Sequence, residues 1–103
     1  MAHRDPVTEK TYQAVMARDY LAMKLAGLPS QRPICIAPIV DSTQLGRCSG
    51  RSTLDHVHEA YGMMGRRAPS DEEHLVALCE RHHLWSGWAT SHKPALREYL
   101  LNG

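Results

Sequence analysis

Residues 72–85 read EEHLVALCERHHLW, and how this stretch is placed decides the fold. Ser70 or Asp71 can cap a helix that begins near Glu72 and runs through this segment. On such a helix Cys79 and His82, three residues apart, face one side. His83 is turned by about 100° and faces elsewhere. A thiolate and an imidazole at the spacing Cys79-x2-His82 can grip one Zn²⁺, and a closed tetrahedral site needs two more ligands. Cys35 and Cys48 are the remaining cysteines, so the expected set is Cys35, Cys48, Cys79 and His82. If Cys35 is not a ligand, His92 or a water can complete the shell. Cysteines are also commonly buried as small hydrophobes, and that is the competing account of all three thiols.

Outward from this stretch, the chain reads as one domain of 103 residues. Residues 6–27 suit a helix, with Pro6 in its first turn and Gly27 at its end. Val7, Tyr12, Val15, Met16, Leu21 and Leu25 form its apolar stripe, and Lys10, Arg18, Lys24 and Arg32 are basic groups able to touch DNA. Leu28–Pro33 breaks the chain, and Pro38 makes Ile34–Val40 an edge strand or loop. Gln44–Cys48 and Ser52–Val57 are expected as a strand pair around a tight turn at Ser49-Gly50-Arg51. A final helix is expected over about residues 92–101, with Pro94 in its first turn. Leu84, Trp85 and Trp88 are expected to pack that helix on the rest. The class is therefore α+β.

Composition excludes several alternatives. With 43% apolar and 22% charged residues the chain is neither disordered nor fibrous. No apolar run is long enough for a membrane span, so no membrane partner is expected. The N-terminal residues MAHRDPVTEK lack the apolar core of a signal peptide, so an intracellular location is expected, where thiols stay reduced. Twelve Lys and Arg against eleven Asp and Glu give a net charge of +1, too small for a global pull toward nucleic acid. The chain has no Phe, and a modest core makes a metal staple useful. Structural zinc contributes roughly 10 kcal/mol or more in small peptides. A thiol redox enzyme is a poor fit because there is no Cys-x2-Cys pair.

Five of the seven histidines lie between residues 56 and 83. The segments RCSGRSTLDHVHE (47–59) and EEHLVALCERHH (72–83) resemble the HNH endonuclease family, whose core is a ββα-metal fold of the His-Me finger type. The resemblance covers residues 35–84. It implies a ββα-metal core with a structural zinc, flanked by N- and C-terminal helices. It implies that Asp55 and His83 hold a catalytic divalent cation (Mg²⁺, Mn²⁺ or a transition metal) and that His56 is the general base. His74 stands where the family has its middle Asn, and His82 replaces the commoner second Cys.

An imidazole with a pKa of about 6.5 can take a proton from water near neutral pH, as phosphodiester hydrolysis requires. Arg47, Arg51, Arg66, Arg67 and Arg81 are candidates for phosphate contacts on DNA. His58 shares the His56 face of the expected strand and is a weaker candidate for contact with the metal or the phosphate. The resemblance makes a phage or mobile-element origin plausible, with host cytoplasm as the compartment and packaging proteins (terminase) or a second copy as partners. Nicking or weakly specific cutting of duplex DNA is the expected activity. The competing class is a non-catalytic zinc module that binds DNA or a protein; such a module has no use for Asp55, His56 and His83.

Overall fold

A computed structural model describes residues 7–28, 33–57 and 72–102. Helix α1 (Glu9–Leu25) starts at Thr8, whose side-chain oxygen accepts from the Thr11 backbone N–H at 3.1 Å. Glu9 in the first turn and Lys24 in the last suit the helix dipole. The end is a Schellman motif: Leu28 N–H reaches the Met23 carbonyl and Gly27 N–H the Lys24 carbonyl, each at 3.0 Å. Gly27 takes φ 79°, the left-handed conformation that such a cap requires. The expected helix is thus present, but Pro6 lies outside the described residues and Thr8 is the cap.

The buried face of α1 is Val15, Met16, Asp19 and Met23. Leu21 and Leu25, expected in the apolar stripe, are exposed. A carboxylate therefore sits at the centre of the buried face. Arg18 is engaged within the fold: it pairs with Asp19 at 2.8 Å and donates to the Leu75 carbonyl at 2.7 Å and to the Glu72 carbonyl.

The sheet has two antiparallel strands, β1 (Ser52–His56) and β2 (Leu75–Cys79). The register runs from Ser52 opposite Cys79 to His56 opposite Leu75. Val57 N–H to the His74 carbonyl (2.8 Å) and Glu80 N–H to the Arg51 carbonyl (3.0 Å) extend the ladder at either end. Two expectations are corrected here. The partner of Ser52–His56 is not Gln44–Cys48, and residues 75–79 are strand rather than helix. LVALC is a short, unbroken apolar run, which periodicity alone assigns to neither state. Every residue of β2 is buried, and a strand covered on both faces reads as just such a run.

The far edge of β2 is closed by its neighbours rather than by a third strand. Ala77 N–H donates to Asp19 Oδ2 at 2.8 Å, and the Ala77 carbonyl accepts from Ile36 N–H at 3.0 Å. Asp19 also accepts from the Tyr99 hydroxyl at 2.6 Å, so no buried polar atom of this edge group is left to water. Burial, together with the Asp19 charge, pushes the Tyr99 hydroxyl well above its ordinary pKa.

Ile34–Val40 is not an edge strand. Its second half is a one-turn helix, α2 (Ala37–Val40), with Pro38 in the first turn, where a missing N–H does no harm. Asp41 then caps a 3₁₀ turn (Ser42–Gln44) by accepting from Thr43 N–H at 3.1 Å. After β2 comes a single π-helical turn (Arg81–Trp85), closed by Ser86 N–H on the Arg81 carbonyl at 3.0 Å. Helix α3 (Trp88–Ser91) and helix α4 (Lys93–Asn102) follow, the latter close to its expected span. The core gathers Cys35, Ile36, Val57, Val76, Leu78, Cys79, Trp88 and Leu96. Trp88 packs as expected, whereas Leu84 and Trp85 are each 60% exposed. Among the described residues no helix is long and apolar enough to cross a membrane.

Candidate metal centre

Four separate pieces of the chain deliver the thiols and the imidazole. Cys35 precedes α2, Cys48 follows the 3₁₀ turn, Cys79 ends β2, and His82 lies on the π turn. Their ligand atoms all lie within 4.8 Å of one another. The His82 Nδ1 atom is 3.1 Å from Cys79 Sγ, 3.7 Å from Cys35 Sγ and 3.8 Å from Cys48 Sγ. A zinc tetrahedron with Zn–S of about 2.3 Å has S···S edges of about 3.8 Å, and the cluster is of that size. Cys35, Cys79 and His82 are fully buried, and no cysteine is in a disulfide.

The surroundings orient the imidazole. His82 Nε2 lies 2.9 Å from Gln44 Oε1, an acceptor only, so Nε2 carries the proton and Nδ1 turns its lone pair to the sulfurs. Gln44 Nε2 is tied in turn to Asp41 Oδ2 at 3.5 Å. The Trp88 ring meets His82 edge-on, with centroids 5.3 Å apart. Hydrogen bonds from Cys35 and Cys48 pull the Cys79 thiol far below its ordinary pKa, while hydrogen bonds with Cys48 and Cys79, together with burial, push Cys35 up. A thiolate held among thiols in a dry pocket is a site that a soft cation satisfies. These four residues can hold a metal ion, and zinc fits the donor set and the size. His92 is not the fourth ligand. Its ring stacks on Trp88 at 4.3 Å, and Nδ1 lies 2.8 Å from the Trp88 carbonyl.

A second group forms on the other side of the same turn. His83 Nε2 lies 3.3 Å from Asp55 Oδ1, and His83 Nδ1 lies 2.7 Å from Thr53 Oγ1. Thr53 and Asp55 are two apart on β1, so they share a face. Lys93 Nζ, at the start of α4, pairs with Asp55 Oδ2 and donates to the His56 carbonyl at 3.1 Å. Burial pushes the Asp55 carboxyl up, but hydrogen bonds from His83 and Lys93 outweigh it and hold the group below the usual carboxylate range.

Of the other expected site residues, His56 ends β1 half-buried, and strand alternation puts its side chain in the set of Ser52 and Leu54, opposite that of Asp55. His74 is buried just before β2, with its carbonyl on Val57 N–H. Arg47, Arg51 and Arg81 are exposed in and near the segment between the 3₁₀ turn and β1. Arg66, Arg67 and His58 lie outside the described residues, as do Arg32, Ser70 and Asp71. Sequence reasoning missed Gln44, Thr53 and Lys93. The Thr53-x-Asp55 spacing on a strand was a usable signal for one of them; Gln44 and Lys93 carry none. No protein family, curated protein or solved structure matches the chain.

Proposed function

We propose that the chain is a metal-dependent DNA endonuclease of the HNH, ββα-metal type, stapled by zinc at Cys35, Cys48, Cys79 and His82. The observation that carries this reading is the contact between His83 and Asp55. Thr53 Oγ1 donates to the Leu78 carbonyl at 2.7 Å, so toward His83 it accepts, and Nδ1 carries the proton. On a neutral ring the Nε2 lone pair then faces a carboxylate oxygen 3.3 Å away. Two acceptors at that separation need a positive centre between them. A proton on Nε2 supplies one; a divalent cation held by Asp55 and His83 supplies another, and imidazole plus carboxylate is a donor pair that Mn²⁺, Mg²⁺ and transition metals accept.

When bound, that cation would stabilise charge on the phosphate and on the leaving oxygen. His56 is the proposed base that takes a proton from the attacking water; strand alternation sets its side chain on the face of β1 opposite Asp55, so this role requires the ring at the strand end to turn toward the Asp55–His83 pair. His74 occupies the position next to β2 from which it steadies this strand end, through the Val57 N–H bond to its carbonyl. Exposed Arg47, Arg51 and Arg81 are proposed phosphate contacts on DNA.

One observation favours the second reading, a zinc-clamped binding module without a reaction. Lys93 already neutralises Asp55, and a structural ion pair needs nothing more. A supercoiled-plasmid assay with Mg²⁺, Mn²⁺, Ni²⁺ and Zn²⁺ separates the two. The nuclease reading expects nicked or linear product from the wild type and at least a hundredfold loss in His56→Ala and Asp55→Asn. No cutting by zinc-loaded wild type with any of these metals favours the binding module. Equal cutting by His56→Ala removes His56 as the base.

A further inference from the structure

Lys93 is the group no part of the expected site accounted for. It opens α4, its side chain is about one-third exposed, and two of its three ammonium protons are placed, on Asp55 Oδ2 and on the His56 carbonyl. The two carboxylate oxygens thus have different partners: Lys93 on Oδ2, His83 on Oδ1. Its flexible stem and compact charge let it hold the nearly buried Asp55 carboxylate and release it.

We propose that Lys93 is a positioning residue for the Asp55–His83 pair: it fixes the carboxylate so that only Oδ1 faces His83, and its charge limits how tightly the pair takes a divalent cation. This rests on reading the pair as a cation site. With Lys93 in place, an ammonium sits against the carboxylate and repels an entering cation at close range. Without Lys93 the pair carries one positive charge less and binds a cation more tightly.

The test is a Mn²⁺ titration of the zinc-loaded full chain, with free Mn²⁺ followed by electron paramagnetic resonance. Lys93→Met is expected to bind Mn²⁺ about tenfold more tightly than the wild type. Lys93→Arg, which keeps the charge, is expected to stay within about threefold of it. Asp55→Asn added to Lys93→Met is expected to abolish the gain. Lys93→Gln serves in place of the methionine variant if zinc content shows that protein to be misfolded. Unchanged or weaker Mn²⁺ binding in Lys93→Met, with wild-type binding that depends on Asp55, overturns the role of Lys93 alone. No Mn²⁺ binding by either protein overturns the cation-site reading together with it.

Discussion

His82 and His83 are consecutive on one helical turn, yet they enter two different environments. His82 is fully buried against three sulfurs, with its outer nitrogen tied to Gln44. The His83 side chain keeps 21% of its surface open, and its polar contacts among the described residues are oxygen atoms of Thr53 and Asp55. The π turn swings the two rings apart, and β1 and the Cys48 loop supply their different partners. Enclosure and donor type then divide the roles. A closed, sulfur-rich shell suits a structural ion, while on the proposed reading the Asp55–His83 pair, partly open at His83, leaves room for a substrate.

If that division holds, the largest effect is on the closed side. Stripping metal with a strong chelator, or replacing Cys79 by Ser, is expected to unfold the chain, since structural zinc supplies roughly 10 kcal/mol in small domains. Circular dichroism before and after chelation checks this, with recovery on adding Zn²⁺. Retention of native structure in metal-free protein would make the four residues a packed thiol cluster instead. A substitution that loosens both sides at once comes next. Asp19→Ala leaves Ala77 N–H and the Arg18 guanidinium without their buried partner, at the opposite edge of the strand that ends in Cys79. Breaking a buried pair from one side costs about 3–5 kcal/mol, read from urea unfolding of zinc-loaded protein. Gln44→Ala then separates the two sides again. It is expected to weaken zinc about 10- to 100-fold, in competition with a chromogenic chelator, and to leave Mn²⁺ binding at His83 unchanged.

How much of this was legible in the sequence differs between the two sides. The four residues of the closed cluster are all reactive residue types, few enough in this chain to be counted, and Cys79-x2-His82 is a local spacing. Their grouping is legible although the local structure differs from the expected helix. Cys79 ends a strand rather than riding a helix, and it still meets His82 because one turn brings the chain back. Strand β2 was hidden because LVALC has no periodicity, and β1 was found with the wrong partner because the nearer segment looked like a hairpin. Asp19 was hidden because a buried carboxylate on a helix looks like any surface acid until its partners, Tyr99 and the Ala77 amide, are placed. On the open side Asp55 and His83 came from a resemblance, and Lys93 came from neither pattern nor resemblance. Its contact with Asp55 spans 38 residues and depends on where α4 begins.

The smallest effect tests the electrostatics of the open side. A folded-state pKa held below the ordinary value means that the contribution of Asp55 to stability is fully present above about pH 4 and is lost as pH falls through the lower folded value. Partners that keep part of their surface in water limit that contribution to about 1 kcal/mol. The direct readout is the carboxyl carbon of Asp55 followed by NMR, which is expected to keep the shift of an ionised group from pH 7 down to pH 5. In Lys93→Met the hydrogen bond and charge that oppose burial are reduced, so the same carbon is expected to begin titrating at a higher pH than in the wild type. A wild-type carboxyl that titrates above pH 5 would mean that burial has won over Lys93 and His83. A carboxyl still uncharged near pH 7 would go further: it would be neutral where the proposed hydrolysis needs it charged, and the open side would lose its resemblance to a cation site while the closed side stood unchanged.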